Sequence, residues 1–136
     1  MGLLANFNIS GSAISAQSLR LNATASNLAN VETIAASEAE AYRSRQPVFQ
    51  ALLTNPDRPG EVGVDMLGIV ESQKAVERRY QPGHALADAE GYVYASNVNP
   101  VEEMANMISA SRAYQNNVEV LNTSRDLLMR VLSLGS

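Results

Sequence analysis

The single histidine is the residue of this chain best suited to acid–base or metal chemistry. His84 is followed by Asp88 and Glu90, and an imidazole with two carboxylates could hold a metal ion or transfer a proton. However, His84 lies in a Pro-Gly turn, the two acids lie in a second turn, and no further histidine or cysteine completes a ligand set. The spacing therefore favours turn geometry, and we predict no metal, no cofactor and no enzymatic activity.

Motifs for other kinds of binding are also missing from the sequence. Gly60 and Gly63 are not followed by the Lys-Ser/Thr pair of a phosphate-binding loop. A formal net charge of −4 without a basic patch argues against nucleic acid, and we predict no small-molecule substrate. No apolar run is long enough to span a bilayer, and Asn6, Asn8 and Ser10 interrupt what could be the apolar core of a cleaved signal peptide.

The last third of the sequence predicts one long helix. Asn99 suits the N-cap, and Pro100 suits the first helical position, where its missing N–H is not needed. No Gly or Pro follows until Gly135, which suits the position after a helix end. The predicted helix has about 35 residues and a length of roughly 52 Å.

Apolar residues recur every seven positions along this helix, in two columns. The first column holds Met107, Tyr114, Leu121 and Leu128. The second column holds Met104, Ser111, Val118, Arg125 and Leu132. Alternating steps of three and four residues are typical of a coiled-coil seam. Because so long a helix would project beyond a small domain, we favour a seam with another long helix; packing on its own domain is the alternative.

Residues 1–31 predict a second helix with the same period. Its first column holds Phe7, Ile14, Leu21 and Leu28, and its second column holds Leu4, Gly11, Ser18 and Ala25. The other faces carry small neutral and amide side chains, and Arg20 is the only charged residue, which favours burial among several helices. Amides such as Asn22, Asn27 and Asn30 could then form hydrogen bonds between chains. The alternative is a weak helix that orders only on assembly.

The middle of the chain, 32–97, predicts a small β-rich insert. Residues 32–40 have no apolar period and predict a linker with some helix. Residues 42–53 indicate an extended segment, strand-like runs follow at 61–70, 75–80 and 92–94, and turns lie at 55–60, 81–84 and 87–91. We therefore predict a mainly α fold, in which terminal coiled-coil helices at 1–31 and 98–136 flank this insert.

Three separated motifs resemble those of bacterial flagellar rod, hook and hook-associated proteins. The first is Ser10-Gly11-Ser12-Ala13 with Asn27-Leu28-Ala29-Asn30, and the last is Ser111-Arg112-Ala113-Tyr114-Gln115-Asn116-Asn117 with Val120-Leu121-Asn122-Thr123. Between them, Tyr80-Gln81-Pro82-Gly83-His84, Ala87-Asp88-Ala89, Gly91-Tyr92-Val93 and Asn97-Val98-Asn99 are similar to the proximal rod proteins of this family. The resemblance covers nearly the whole chain.

The resemblance implies a structural subunit of the basal-body rod in the periplasm, a drive shaft that transmits torque and encloses the export channel. The terminal helices would form an antiparallel pair and stack in a helical assembly. Expected partners are copies of the chain, other rod proteins, the rod-base adaptor and the flagellar type III export apparatus. The predicted interface residues are Phe7, Ile14, Leu21, Asn27, Leu28, Asn30, Met104, Met107, Tyr114, Val118, Leu121 and Leu128. The alternative function is a soluble coiled-coil adaptor or chaperone that acts as a closed dimer.

Overall fold

The fold consists of two long helices with five strands between them. A computed structural model describes residues 2–53, 57 and 60–135 of the 136-residue chain. The elements in chain order are α1 (Leu3–Ala29), β1 (Ile34–Ala35), β2 (Arg45–Leu53), β3 (Val62–Glu71), β4 (Glu77–Tyr80), β5 (Tyr92–Ala95) and α2 (Pro100–Leu134). The helices have 27 and 35 residues, just under half of the chain. Two terminal helices with a β-rich insert were predicted correctly, but "mainly α" understates the share of the strands.

Helix α2 begins and ends where the sequence predicts. The Oδ1 atom of Asn99 accepts hydrogen bonds from the amides of Val101 (3.0 Å) and Glu102 (3.3 Å), which satisfies two of the free N–H groups of the first turn. Pro100 is the first helical residue, and the helix ends at Leu134, directly before Gly135. In neither helix, over the residues described, is there a stretch long and apolar enough to cross a membrane.

A three-stranded antiparallel sheet has the order β1-β5-β4. Strand β5 lies at its centre, so that Ile34 and Glu77 both pair with Ala95 from opposite sides. The short strand β1 corrects the prediction of a partly helical linker at 32–40. A strand of two residues is too short to show the alternation by which strands are recognised in a sequence. Here the strand forms because it pairs with β5.

Strands β2 and β3 form a separate two-stranded sheet. The sequence predicts an extended segment at 42–53 and a strand-like run at 61–70, but it does not predict that the two pair apart from the other strands. In this two-stranded sheet, which we call the ribbon, some backbone N–H groups donate to side chains instead of to another strand, and one position has no N–H group. The Val64 amide donates to Ser12 Oγ (3.1 Å), the Met66 amide donates to Asp65 Oδ1 (2.9 Å), and Pro47 has no N–H. Such features make a strand edge a poor template for another strand. The turn predicted at 55–60 lies mostly outside the described residues.

The chain groups into two compact units. The first unit comprises Met1–Leu21, Pro47–Gly68 and Ile108–Ser136, and the second comprises Asn22–Gln46 and Ile69–Met107. Buried residues of the first unit include Ser10, Ala16, Ala110 and Ser124, and those of the second include Ala41, Val93, Ala95 and Val98. Both cores are therefore built largely from small side chains. The predicted functional division at 31 and 97 stays a prediction, because each unit combines residues from the helices and the insert.

Candidate subunit interface

The first predicted column of each helix is only partly buried within the chain. On α1 these residues are Phe7, Ile14, Leu21 and Leu28, and on α2 they are Met107, Tyr114, Leu121 and Leu128. All eight side chains keep some surface exposed to solvent although they are the most apolar positions of the heptad pattern. The first column of the heptad pattern therefore lies, on each helix, on a face that the rest of the chain buries only in part.

The innermost column of α2 is not the predicted second column. Glu103, Ala110 and Ser124 are buried, and they lie one position before Met104, Ser111 and Arg125. Met104 is 55 % exposed, whereas Glu103 is 4 % exposed. The prediction assigned the larger apolar side chains to a seam with another helix, which stays a prediction. Within its own chain, α2 buries small or polar side chains, and the small ones allow neighbouring backbone to come closer.

Helix α1 shows the same displacement of its second column. Ser10 and Thr24 are buried, with Gln17 between them partly buried, whereas the predicted column is exposed at all four of its positions. Those exposed residues are Leu4, Gly11, Ser18 and Ala25. The outward face of α1 is therefore formed largely by small and neutral side chains.

Large apolar side chains remain exposed along α2. They are Val101, Met104, Ile108, Val120, Leu127, Met129, Val131, Leu132 and Leu134. In a two-stranded coiled coil the columns that flank the seam usually carry charged residues. Here exposed apolar residues flank the two inner columns of α2, which are the buried column of Glu103, Ala110 and Ser124 and the first predicted column. Val120 and Leu127 lie on one side, and Met104 and Leu132 of the predicted second column lie on the other. This pattern suits a helix with more than one helical neighbour.

Asn27 is the centre of a buried polar cluster on α1. Its side chain is 1 % exposed, and its Nδ2 donates to Ser44 Oγ (3.2 Å) and to the carbonyl of Arg45 (2.9 Å). Its Oδ1 accepts from the Arg45 amide (2.9 Å) and from the Tyr42 hydroxyl (3.0 Å). An amide has two donor hydrogens and two acceptor lone pairs, so all four positions are occupied. Asn27 therefore binds the backbone of Arg45 as a neighbouring strand would.

The segment 42–45 is also held by residues that precede and begin α2. The Ser44 amide donates to Asn97 Oδ1 (2.7 Å), and Asn97 Nδ2 donates to the carbonyl of Lys74 (2.8 Å). The Ser44 hydroxyl donates to the buried carboxylate of Glu103 (3.4 Å). Buried polar groups are costly unless they are paired, and here they pair with one another. The cluster ties α1, β2 and the start of α2 together within the second unit.

The structure separates the two asparagines that were predicted as contacts between subunits. Asn27 has every hydrogen-bonding position occupied by its own chain, so its main role is to fix the fold. Asn30 donates to the carbonyl of Ser26 (2.9 Å) near the end of α1 and remains partly exposed. The sequence indicated the importance of Asn27 by placing an amide in a helix whose only charged residue is Arg20. It did not indicate the partners of Asn27, which lie 15–18 residues away.

The histidine and its neighbouring acids build turns. His84 Nδ1 accepts from the Leu86 amide (3.1 Å), and Asp88 Oδ1 accepts from the amides of Tyr92 and Glu90 (both 2.9 Å). The bond from the Tyr92 amide is the main cause that holds the pKa of Asp88 below its ordinary value. Among the described residues, no group of three or more His, Cys, Asp and Glu side chains could hold a metal ion.

Surface charges of the second unit form ion pairs. Arg78 pairs with Glu90 (2.6 Å) and lies over the ring of Tyr92, 3.7 Å from its centroid. Arg79 pairs with Glu77 (2.9 Å), and its hydrogen bond is the main cause that lowers the pKa of the Glu77 carboxyl. Because solvent screens exposed pairs of this kind, they add little to stability.

Two family models match the chain, one at each end. The model described as "Flagella basal body rod protein" matches residues 7–34, and the model described as "Flagellar basal body rod FlgEFG protein C-terminal" matches residues 89–134. The two matches together cover more than half of the chain and contain most of both helices.

Curated relatives extend the similarity through the strands. The flagellar basal-body rod protein FlgC of Salmonella typhimurium is 47 % identical over 137 residues, which cover 99 % of each chain. FlgC of Escherichia coli O157:H7 is 47 % identical over 135 residues and 99 % of each chain. FlgC of Borreliella burgdorferi is 33 % identical over 149 residues and 98 % of each chain.

Proposed function

The chain belongs to the FlgC family of flagellar basal-body rod proteins, and we propose that its helices build the rod by stacking against neighbouring subunits. It is a structural subunit of the flagellar basal body. The family consists of structural proteins, and its relatives give no support to the alternative of a soluble closed-dimer adaptor.

The observation that carries the stacking mechanism is the apolar surface left exposed on α2. Full burial of one large apolar side chain contributes about 1.5–3 kcal/mol, so covering a half-exposed one contributes on the order of 1 kcal/mol. Nine such side chains on one helix therefore offer several kcal/mol to neighbours that cover them. Because exposed apolar residues lie on more than one side of α2, the helix can contact more than one neighbour. We propose that these contacts are head-to-tail and do not close, which would give a helical assembly.

In this assembly α1 and α2 form an antiparallel coiled-coil pair around the channel of the shaft, and the β-rich part lies further out. The partly buried columns of both helices, together with Asn30, Met104 and Val118, form the contacts between subunits. Partners are copies of this chain, other rod proteins and the rod-base adaptor. The chain reaches the periplasm through the flagellar type III export apparatus, and the finished rod transmits torque.

The first test replaces an exposed apolar residue of α2 with an acid. Leu127 is 48 % exposed, so Leu127→Asp should leave the fold of the chain intact. Because the charge would be buried between helices in the rod, we expect cells with this variant to lack rods. The matched control is Leu86→Asp, at a residue that is 43 % exposed in a turn before β5. The proposal is wrong if both variants give normal numbers of rods in purified basal bodies.

A second test uses the predicted seam itself. Leu28→Asp or Leu121→Asp should abolish rods, because each places a carboxylate at a partly buried position. Normal rods in cells that carry both changes would contradict the seam. Sedimentation addresses the alternative function separately: a rod subunit should be monomeric in dilute solution, whereas the adaptor should be a discrete dimer.

A further inference from the structure

We propose that the last part of α2 in one subunit packs on the ribbon of a second copy of the chain. This part of α2 comprises residues 129–134, which we call the α2 end. The proposal rests on the proposed assembly of subunits into a rod, and it adds a contact in which the strands take part. The two surfaces differ, so each copy can hold one neighbour by its ribbon and another by its α2 end.

The α2 end is exposed on every side. All residues from 129 to 135 are exposed, whereas each earlier turn of α2 has a buried or partly buried residue. Four of the six residues of the α2 end are large and apolar, and each is at least 58 % exposed. They are Met129, Val131, Leu132 and Leu134. A helix segment that is apolar in several directions is typical of a position surrounded by other elements.

The ribbon is a second apolar surface of the same compact unit. Its part within the first unit leaves six large apolar residues exposed, which are Val48, Leu52, Leu53, Val62, Met66 and Leu67. Successive residues of a strand point to opposite faces, so Met66 and Leu67 place apolar side chains on both faces of the ribbon. A two-stranded ribbon is marginally stable unless it packs on something else. The ribbon therefore has more apolar surface than its own chain covers.

The edges of the ribbon favour a helix as its partner. The amides of Val64 and Met66 donate to side chains, and Pro47 has no N–H, so an added strand would lack hydrogen bonds at these positions. A helix needs none from its partner, because its backbone groups are paired within the helix. A helix about 10 Å in diameter also matches the width of two strands that lie about 5 Å apart.

The charges of the two surfaces are complementary. Arg130 is exposed and is the only charged side chain in residues 127–136. The ribbon and its turn, residues 47–68, carry three acids and one base, which are Asp57, Glu61, Asp65 and Arg58. Two ribbons in contact would bring acids together, and two α2 ends in contact would bring arginines together. Opposite charge therefore favours contact of a ribbon with an α2 end.

Contact between unlike surfaces also suits an assembly that continues to grow. Two ribbons, or two α2 ends, would meet through the same surface on both copies and would close a dimer. A ribbon that packs on an α2 end leaves each copy with one further surface of each kind for other copies. The exposed apolar residues nearer the start of α2, such as Met104 and Ile108, stay available for contacts between helices.

Photo-cross-linking in assembled rods tests this contact. The photoreactive analogue p-benzoylphenylalanine replaces Met66 in one variant and Leu67 in another, because these neighbours lie on opposite faces of β3. Purified basal bodies are irradiated, and covalent dimers of the chain are isolated on a denaturing gel. The dimer mass separates a link between two copies from a link within one chain.

Mass spectrometry then locates the attachment point. Trypsin cuts after Arg125 and Arg130, so the α2 end is released within two short peptides of residues 126–136. We expect at least one of the two variants to give a dimer in which the analogue is joined to one of these peptides. The variant that reacts also identifies the face of the ribbon that is covered.

Three results would overturn the proposal. A dimer linked from ribbon to ribbon would show a symmetric contact, and a link to a different rod protein would show a different partner. Intact rods in which neither variant is joined to residues 126–136 would show that the contact is absent. The control places the analogue at Leu86, which lies outside both surfaces and should not reach these peptides. The stacking of the helices is tested separately by Leu127→Asp.

Polar substitutions give a second readout if the analogue prevents assembly. The ribbon variant Met66→Ser/Leu67→Ser and the helix variant Leu132→Ser should each lower the number of rods per cell about five- to tenfold, because each removes apolar contact area. If these residues share one contact, the combined variant should have about as many rods as the poorer of the two. Losses that multiply, or normal rods in both variants, would contradict the contact. Leu86→Ser should leave the number unchanged.

Discussion

Replacing Asn27 with alanine should destabilise the second unit far more than the same change at Asn30. Asn27 makes four hydrogen bonds from a side chain that is 1 % exposed, all to residues 42–45. A typical hydrogen bond contributes about 0.5–1.5 kcal/mol net, and unpaired buried partners add to the loss. Because Tyr42 and Arg45 can recover bonds with water, we expect a loss of about 2–4 kcal/mol in the free energy of unfolding.

The matched control is Asn30→Ala. Asn30 Nδ2 makes one bond, to Ser26 of its own helix, so its loss should change the free energy of unfolding by less than about 1 kcal/mol. Urea unfolding followed by circular dichroism measures both variants, and hydrogen exchange at the Arg45 amide, which donates to Asn27 Oδ1, localises the effect. If the two variants were equally stable, and the Arg45 amide kept its protection in Asn27→Ala, the assigned role of Asn27 would be wrong.

The isosteric change Asn27→Asp adds a pH dependence with a definite sign. A carboxylate cannot donate to the Arg45 carbonyl, and burial beside that oxygen disfavours the charged form, so the pKa of the new carboxyl should be raised in the folded state. A raised folded pKa gives stability that is present below the unfolded value, about 4, and lost as the pH rises through the folded value. Relative to the wild type, the variant should therefore be least destabilised at acidic pH. A pH-independent difference would contradict this.

Three further changes test separate parts of the fold. Gly91 has a φ of +84°, and a Cβ atom at this position would lie 3.0 Å from Pro82. Gly91→Ala should therefore lower the free energy of unfolding, measured by thermal unfolding, by about 1–3 kcal/mol. Gly83→Ala should leave it unchanged, because the space around Gly83 is open. The lowered pKa of Asp88 gives its turn stability that is present above about pH 4 and lost as the pH falls through the folded value. The protection of the Tyr92 amide, measured as its exchange rate relative to that of the unfolded chain at the same pH, should therefore decrease in that acidic range. Asn99→Ala should cost about 1 kcal/mol in urea unfolding, because it removes the N-cap of α2.

Features that depend on neighbouring residues in the sequence could be predicted, and those that depend on distant partners could not. The bounds of α2 follow from Asn99, Pro100 and Gly135, each of which acts within a few residues of the helix end. Strand β1 has only two residues, and its existence depends on pairing with β5 about sixty positions away. No local pattern carries that information.

The most deeply buried column of α2 lies one position before the predicted second column. Sequence reasoning ranks positions by hydrophobicity, so it assigned Met104 to a seam with another helix and Glu103 to the helix end. The structure buries Glu103 because Ser44 supplies a hydrogen bond, and it buries Ala110 because a small residue allows close approach. Likewise, Asn27 was expected to bind other chains, since its partners at 42–45 cannot be recognised from the helix alone.

In the proposed rod each chain would lie against copies of itself, and there the ribbon of β2 and β3 has a consequence. At such local concentrations an open strand with apolar side chains would recruit the next chain into a growing cross-β fibre. Ser12 and Asp65 already occupy the amides of Val64 and Met66, and Pro47 offers none. A strand of another chain that paired with this ribbon would therefore lack hydrogen bonds at these positions. This disfavours fibre formation, and in the proposed rod every contact between subunits involves a helix.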